Sequence, residues 1–286
     1  MGFTLLMNFY SVLLGLIVGS FANVCIYRIP LGKSIVRPPS SCPQCGNRVR
    51  FYDNIPLISY MLLRGRCRVC GQRIPLVYPL VEGLFGLLSL VLFSRYGVGF
   101  QYILFLIFAG ALIVISFIDF RHQIIPDVLS LPGIAAGLAV TAVYQWAVTG
   151  RDVLEGLNLT RFAGGSAPYF MMGEITWLDS LLGIVAGGGS LFLVAVAFEY
   201  LTGKEGMGGG DIKLLAMIGA WLGWQSLIPV VLMSSFSGAL VGSVYLLLSG
   251  KGLRVKIPFG PFLALGALLY LFFGVTITNT YFRFFA

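Results

Sequence analysis

The sequence predicts an all-α polytopic membrane protein with about eight transmembrane helices and a small polar insert on the cytosolic side. Of its 286 residues, 58% are hydrophobic and only 10% are charged, which is far from the composition of soluble domains. Apolar stretches of about twenty residues recur along the chain, and each is long enough to cross a hydrocarbon core of about 30 Å. One sizeable polar stretch, 28–76, interrupts the pattern and carries four of the five cysteines.

The predicted spans follow from these stretches in chain order. We expect transmembrane helices over 4–27, 77–94, 101–120, 127–147, 178–201, 211–229, 230–249 and 259–281. The first stretch lacks a preceding positive charge and a small-residue cleavage site, so we expect it to remain in the chain. The fifth contains Gly183, Gly187, Gly188 and Gly189, and small residues allow membrane helices to approach closely. The outer insert, 148–177, is predicted to be a loop without chemistry.

The net charge of +8 invites a nucleic-acid interpretation, but the distribution of the basic residues favours orientation in a membrane. With eight spans and the N-terminus outside, one set of connections holds only Arg95, Arg151, Arg161 and Arg283. The remaining fifteen of the nineteen basic residues fall in the other set. Cytoplasmic loops carry such an excess of Lys and Arg. We therefore predict an inner-membrane protein with both termini outside, the 28–76 insert in the cytosol, and no nucleic-acid partner.

Four cysteines of the insert predict a metal site. Cys42, Cys45, Cys67 and Cys70 form the pattern C-x-x-C-x21-C-x-x-C, and a glycine follows each pair. Four thiolates at this spacing suit a tetrahedral Zn²⁺ site, and disulfides are disfavoured in a reducing cytosol. Because four sulfur ligands leave no position for water, the zinc should be structural. A set of redox-active or free thiols is the alternative.

Two carboxylates interrupt the apolar pattern and predict catalysis. Asp119 ends the run 101–120, and Asp211 follows a glycine-rich segment and opens the sixth predicted span. A carboxylate near the membrane core costs about 2.5–3.5 kcal/mol, so both are expected to serve a function. The alternation of spans puts both at the cytosolic face. Two neighbouring carboxylates share a proton, and one then acts as a general base and the other as a general acid, as in aspartic proteases.

The residues beside these carboxylates allow more than one interpretation. Gly208, Gly209 and Gly210 would let an extended substrate backbone lie against Asp211, although a plain glycine-rich turn is the alternative. Asp127 fits the first turn of a helix, where negative charge is favoured. Paired intramembrane carboxylates also serve proton or cation relays in transporters. Relay acids usually lie near the midplane, whereas both predicted aspartates lie at one edge.

Long motifs resemble the type IV prepilin peptidase family of bacterial inner membranes, which are GxGD-type intramembrane aspartic proteases also described as leader peptidase/N-methyltransferases. Besides the cysteine pairs, the motifs are G-S-F-A-N-V-x-x-x-R-I-P (Gly19 to Pro30), N-I-P-L-I-S-Y (Asn54 to Tyr60), Y-P-L-V-E (Tyr78 to Glu82), F-I-D-F-R-H-Q-I-I-P-D (Phe117 to Asp127), T-G-K-E-G-M-G-G-G-D-I-K-L-L-A-M-I-G-A-W (Thr202 to Trp221) and I-P-F-G-P-F-L-A (Ile257 to Ala264). The resemblance covers nearly the whole chain.

The resemblance implies two activities. Asp119 and Asp211 would form the catalytic pair that removes a basic leader, after a glycine, from type IV prepilins or type II secretion pseudopilins. S-adenosylmethionine would then methylate the new terminal amine, an activity associated with the cysteine-containing insert. A peptidase without methyltransferase activity is the alternative. The candidate residues for the cofactor site are Asn23, Arg64, Gly65, Arg66 and Glu82.

The predicted domain organisation has four parts. Residues 1–27 form the first transmembrane helix, and 28–76 form the zinc-binding insert linked to methylation. Residues 77–100 form the second helix and an outer turn, and 101–286 form a six-helix peptidase domain.

Overall fold

The computed structural model describes residues 2–149, 175–203, 208–249 and 257–285. The regular structure of these residues is helical, and they contain no β-strand beyond two isolated bridges in the insert, Ser41 with Arg48 and Arg66 with Arg73. The predicted all-α fold is therefore confirmed for the described part of the chain. Most of the predicted outer insert, 148–177, lies outside the described residues.

Nine α-helices occur within the described ranges, most of them apolar along their whole length. They are α1 (Gly2–Arg28), α2 (Ile58–Leu62), α3 (Val77–Tyr96), α4 (Phe100–His122), α5 (Asp127–Tyr144), α6 (Trp177–Thr202), α7 (Gly209–Leu222), α8 (Leu227–Ser249) and α9 (Gly260–Phe285). Short 3₁₀ segments add Ile29–Leu31, Phe51–Asn54 and Trp224–Ser226.

Six helical segments in the described ranges are long and apolar enough to cross a membrane. They are Thr4–Leu31, Val77–Tyr96, Phe100–His122, Asp127–Ala147, Trp177–Thr202 and Trp224–Leu248. The protein is thus a multi-pass membrane protein, while the predicted count of eight spans is not confirmed. Helix α7 has only 14 residues, whereas α9 extends over 26 residues, Gly260–Phe285.

The predicted boundary between the sixth and seventh spans, at 229/230, is wrong. Helix α7 ends at Leu222 because Gly223 takes a left-handed φ of 75°, and its N–H closes the helix on the carbonyl of Gly219. Glycine adopts positive φ without the steric cost that other residues meet. The chain then turns through Trp224–Ser226 into α8, and the polar residues Gln225 and Ser226 lie in this turn.

The chain divides into two compact units, Met1–Val114 and Ile115–Ala286. In the first unit, α1 packs on α3 at small residues. A Cβ on Gly15 would collide with the backbone of Phe85, and one on Gly19 would lie 2.9 Å from the Cα of Glu82. The sequence instead predicts that the peptidase part begins at residue 101, and that boundary stays a prediction.

In the second unit, α6 packs on α7 through the glycines that the sequence singled out. Gly183 lies against Gly219, and a Cβ on either would collide with the other's backbone. A Cβ on Gly187 would lie 2.8 Å from the Leu215 carbonyl oxygen, whereas Gly189 has nothing within 4 Å. The prediction of close packing is therefore confirmed for Gly183 and Gly187 and is wrong for Gly189.

Replacing Gly183 by alanine is expected to destabilise the second unit by about 3 kcal/mol, because overpacking here meets backbone that no rotamer change relieves. Gly189→Ala, on the same helix, is the matched control and should be neutral or slightly stabilising, since alanine favours helix over glycine. Thermal unfolding of both variants in detergent measures the difference. Equal unfolding temperatures would contradict the Gly183–Gly219 contact.

A buried carboxylate joins the start of α6 to the turn after α7. Asp179 accepts hydrogen bonds from the Thr176 N–H (2.9 Å) and hydroxyl (2.7 Å), which form a capping box. The capping box is completed by the Asp179 N–H, which donates to the Thr176 hydroxyl oxygen at 3.1 Å. The carboxylate also accepts from the indole N–H of Trp224 (3.0 Å) and the side-chain amide of Gln225 (2.9 Å). The four hydrogen bonds that it accepts satisfy the carboxylate, so Asp179 links the start of α6 to the turn after α7.

Candidate functional sites

Asp119 lies in the last turn of α4 and is only 5% exposed. The helix ends three residues later, and the Gln123 N–H bonds the Asp119 carbonyl oxygen at 2.8 Å. The side-chain Oδ2 accepts a hydrogen bond from the backbone N–H of Gly260 at 3.1 Å. The carboxylate is thus enclosed by protein and held by a main-chain donor from α9.

Asp211 lies in the first turn of α7 and is partly buried. The carboxylates of Asp119 and Asp211 are near enough to interact electrostatically. The side chain of Ile125 lies next to the backbone beside each aspartate. A Cβ on Gly210, which precedes Asp211, would lie 2.9 Å from the Ile125 Cβ, and a Cβ on Gly260, which bonds Asp119, would lie 3.2 Å from the Ile125 Cδ1. The structure therefore brings the two predicted aspartates together at one end of the second unit.

The three glycines before Asp211 differ in their surroundings. Gly208 and Gly209 are exposed, and a Cβ on either would meet nothing within 4 Å. Gly210 is packed against Ile125, where a side chain would not fit. Open backbone beside Asp211 is compatible with a bound peptide, and the substrate-binding role of these glycines stays a prediction.

Asp127 forms an ion pair with a lysine of α7. Its Oδ1 lies 2.6 Å from Lys213 Nζ, and both side chains are substantially exposed. An exposed pair of this kind contributes only about 0–1 kcal/mol. The sequence placed Asp127 correctly in the first turn of α5, but the lysine partner comes from α7 and was not predicted.

The four cysteines of the insert converge in the first unit. Cys42 and Cys67 begin two matching turns, in which their carbonyl oxygens accept the N–H of Gly46 and Gly71, both at 2.9 Å. The two glycines take φ values of 70° and 68°, which glycine adopts readily. The pairing of C-x-x-C with glycine therefore builds two similar loops whose sulfurs face each other.

The sulfur geometry fits one zinc ion. All four Sγ atoms lie within 4.8 Å of one another, and Cys42 Sγ is 3.8 Å from Cys70 Sγ. A tetrahedral site with Zn–S bonds of about 2.3 Å needs sulfurs about 3.8 Å apart. Hydrogen bonds from the backbone N–H groups of Cys70 and Val69 lower the pKa of Cys67 to about 6, whereas burial and the three neighbouring thiols raise the pKa of Cys70 to about 11. Without a metal, the negative charge of the cluster therefore falls first on Cys67, as a thiolate that can bind metal.

A cavity of about 540 Å³ lies in the first unit between the end of α1, the insert and the start of α3. Asn23 and Glu82, two predicted cofactor residues, line it. The side-chain amide of Asn23 donates to the Tyr78 carbonyl oxygen at 3.0 Å. The Oε2 of Glu82 accepts the Leu57 N–H at 2.9 Å. Both side chains are thereby fixed at the cavity wall.

The other three predicted cofactor residues do not line the cavity. Arg64 and Gly65 form a turn with φ values of 50° and 65°, and Arg66 follows them. A Cβ on Gly65 would lie 2.7 Å from the hydroxyl of Tyr60, which does line the cavity. Gly65 therefore supports the cavity wall from behind.

The basic character of the cavity wall was not predicted from the sequence. Seven basic residues line it: Arg28, Lys33, Arg37, Arg48, Arg50, Arg68 and Arg73. Asp53 also lines the cavity, as a second acidic residue beside Glu82. Its Oδ1 lies 2.6 Å from Arg68 Nη2. That arginine lowers the pKa of Asp53. The excess of basic residues in 28–76 is the signal for this wall in the sequence, and it serves membrane orientation equally well.

Comparison with known families assigns both parts of the chain. Residues 13–96 match the bacterial peptidase A24 N-terminal domain, and residues 106–243 match the type IV leader peptidase family. No solved structure matches the chain.

Several curated proteins are similar over nearly the whole length, and each of those named here is a prepilin leader peptidase/N-methyltransferase. The one from Pseudomonas putida is 37% identical over 92% of this chain and 90% of its own length. Those from Pseudomonas aeruginosa and Xanthomonas campestris are 38% and 35% identical, over 96% and 95% of this chain and 93% of each relative. With both aspartates and the cysteine cluster inside the matched segments, this chain belongs to the type IV leader peptidase family.

Proposed function

We propose that this protein cleaves the leader peptide from type IV prepilins or type II secretion pseudopilins and then methylates the new N-terminal amine. The observation that carries the proposal is the meeting of Asp119 and Asp211 within the segment that matches the leader peptidase family. The names of the relatives supply the substrate class and the second activity.

Leader cleavage needs a base and an acid beside the scissile bond. One carboxylate takes a proton from water, whose oxygen attacks the scissile carbonyl carbon, and the other gives a proton to the carbonyl oxygen. The exposed backbone of Gly208 and Gly209 would lie along the bound peptide, with Gly210 turning the chain toward Asp211. The bond cleaved follows a glycine at the end of a basic leader, at the cytosolic face.

Methyl transfer would take place at the cavity of the first unit. Its volume of about 540 Å³ falls within the range of about 300–1,000 Å³ for small-molecule sites. S-adenosylmethionine supplies an activated methyl group when bound. The basic wall would bind its carboxylate, and Asn23 and Glu82 would orient its polar groups beside a neutral amine. Arg64, Gly65 and Arg66 would act through the turn that supports Tyr60.

The insert and the membrane arrangement complete the proposal. Cys42, Cys45, Cys67 and Cys70 would hold one structural Zn²⁺, which stabilises a segment too small to form a large core. With α7 and α9 added to the six long apolar segments, the chain would cross the bacterial inner membrane eight times. Both termini would then be periplasmic and the insert cytosolic.

The proposal is tested by incubating the purified full-length protein with a prepilin in lipid–detergent micelles, with and without S-adenosylmethionine. Intact-mass spectra should show loss of the leader in both cases and an added methyl group only with the cofactor. Cleavage without methylation would support the alternative of a peptidase without methyltransferase activity. Intact prepilin together with proton or cation flux in proteoliposomes would favour the transporter.

Glu82→Gln is expected to lower the methylation rate about tenfold while cleavage stays within about twofold of the wild type. Glutamine can still accept the Leu57 N–H through its carbonyl oxygen, so the fold is kept, while a charged hydrogen-bond partner worth about 1.5–3 kcal/mol is lost from the cavity. Glu199→Gln, at an exposed residue of α6, is the matched control. Product masses at early time points separate the two rates, and equal losses in both would contradict separable sites.

A further inference from the structure

The N-terminus of α9 directs one backbone donor out of the helix. Pro261 has no N–H, and the N–H groups of Phe262 and Leu263 bond the Phe259 carbonyl oxygen at 3.0 and 3.1 Å. The remaining first-turn N–H belongs to Gly260. A helix leaves its first N–H groups without intrahelical partners, so this donor needs an acceptor from elsewhere in the fold.

The acceptor is the predicted catalytic carboxylate. The Gly260 N–H donates to Asp119 Oδ2 at 3.1 Å in a buried setting, across 141 residues of sequence. A Cβ on residue 260 would lie 2.5 Å from the same oxygen and 3.2 Å from the carboxylate carbon. Both the donor and the absence of a side chain are therefore needed for Asp119 to occupy this position.

Asp119 and Asp211 differ in the hydrogen bonds that their carboxylates accept. Within the described residues, the Asp211 carboxylate accepts no side-chain or backbone hydrogen bond. The other charged groups of α4, α5 and α7 whose side chains the structure describes here are engaged or exposed. Lys213 pairs with Asp127, and Arg121 and His122 lie on the exposed surface of α4. A hydrogen bond donated to a carboxylate favours its ionised form, and the partial positive charge of a helix N-terminus acts in the same direction.

We infer that the Gly260 N–H positions Asp119 and keeps it the ionised member of the pair, so that Asp211 carries the shared proton. This inference rests on the proposed peptidase function. Asp119 takes a proton from water as the water oxygen bonds the scissile carbonyl carbon, and Asp211 transfers its proton to the carbonyl oxygen. When the C–N bond breaks, Asp119 returns its proton to the leaving amine and Asp211 recovers its own.

The positioning role is tested with Gly260→Ala. The added Cβ displaces the carboxylate, and a misplacement of about 1 Å can cost about a hundredfold in rate. We expect kcat for prepilin cleavage to fall at least about thirtyfold while KM stays within about twofold, because the peptide-binding backbone is unchanged. Gly238→Ala is the matched control, since its Cβ would meet Phe262 at an ordinary 3.4 Å. A folded Gly260→Ala protein with a wild-type kcat overturns the inference.

The charge assignment is tested on the wild-type protein by carbon NMR with aspartate labelled at its carboxyl carbon, since the chain has six aspartates. The peak that disappears in Asp119→Glu should lie at the carboxylate position at the working pH, and the peak lost in Asp211→Glu at the carboxylic-acid position. The reverse assignment overturns the inference. A wild-type protein that does not cleave prepilin refutes the proposed function instead, which keeps the two failures distinct.

Discussion

Asp119→Asn and Asp211→Asn are each expected to lower the rate of prepilin cleavage by about a thousandfold or more while the protein stays folded. An asparagine at 119 can still accept the Gly260 N–H, so the local structure survives. It cannot take or give the proton that water attack requires, and general acid–base groups contribute about 10²–10⁴ each. Initial rates from product masses measure the loss.

Asp127→Asn is the control for this prediction. It is the aspartate of α5, on the same unit, and it is exposed and paired with Lys213. Cleavage by this variant should stay within about twofold of the wild type. A cleavage rate near the wild type in either Asp119→Asn or Asp211→Asn would refute the catalytic pair. Methylation of a pre-cleaved pilin should persist in both, which shows that the first unit remains folded.

Removing the metal is the second change expected to have a large effect. Protein purified without chelator should contain about one zinc per chain, and a Cys42→Ser, Cys67→Ser double variant should contain none, because half of the ligands of a closed site are lost. Structural zinc contributes an apparent binding free energy of about 10–16 kcal/mol in small peptides. We therefore expect the insert to unfold without it and methylation to be lost.

The measurements are elemental analysis and limited proteolysis of the insert. Cys25→Ala is the control, since Cys25 is buried in α1 apart from the cluster, and it should keep its zinc. A wild-type protein without metal, in which the four cysteines of the insert titrate freely, would rule out the site.

Much of the site was predictable because its chemistry is local in sequence. The residues of each C-x-x-C-G pair suffice to form its loop, because the carbonyl and the glycine that close the loop lie within it. Hydropathy alone puts Asp119 at the end of one span and Asp211 at the start of another. The Gly260 contact was not predictable in this way. It joins residues 141 apart, and a backbone N–H has no side-chain signature in the sequence.

The errors in the fold have a similar physical origin. The positive φ of Gly223 ends the helix, whereas the polar interruption that follows it, Gln225 and Ser226, is too short to mark a span boundary by hydropathy alone. The role of Asp179, which lies inside the predicted fifth span, was not predicted. Its four donors come partly from Trp224 and Gln225, and only the folded chain brings these residues to it.

In the proposed eight-span arrangement α7 crosses the bilayer, and its shortness would make bilayer thickness a variable of this enzyme. Fourteen residues rise about 21 Å, against a hydrocarbon slab of about 30 Å. Asp211 lies at one end of this helix, and the Asp179 carboxylate, bonded to Trp224, lies beside the other end. In a bilayer of ordinary thickness, at least one of these carboxylates therefore lies below the lipid surface unless the membrane thins around the helix. Such mismatch costs fractions of a kcal/mol per ångström, so in this arrangement lipid chain length would set the depth at which the substrate meets the aspartates.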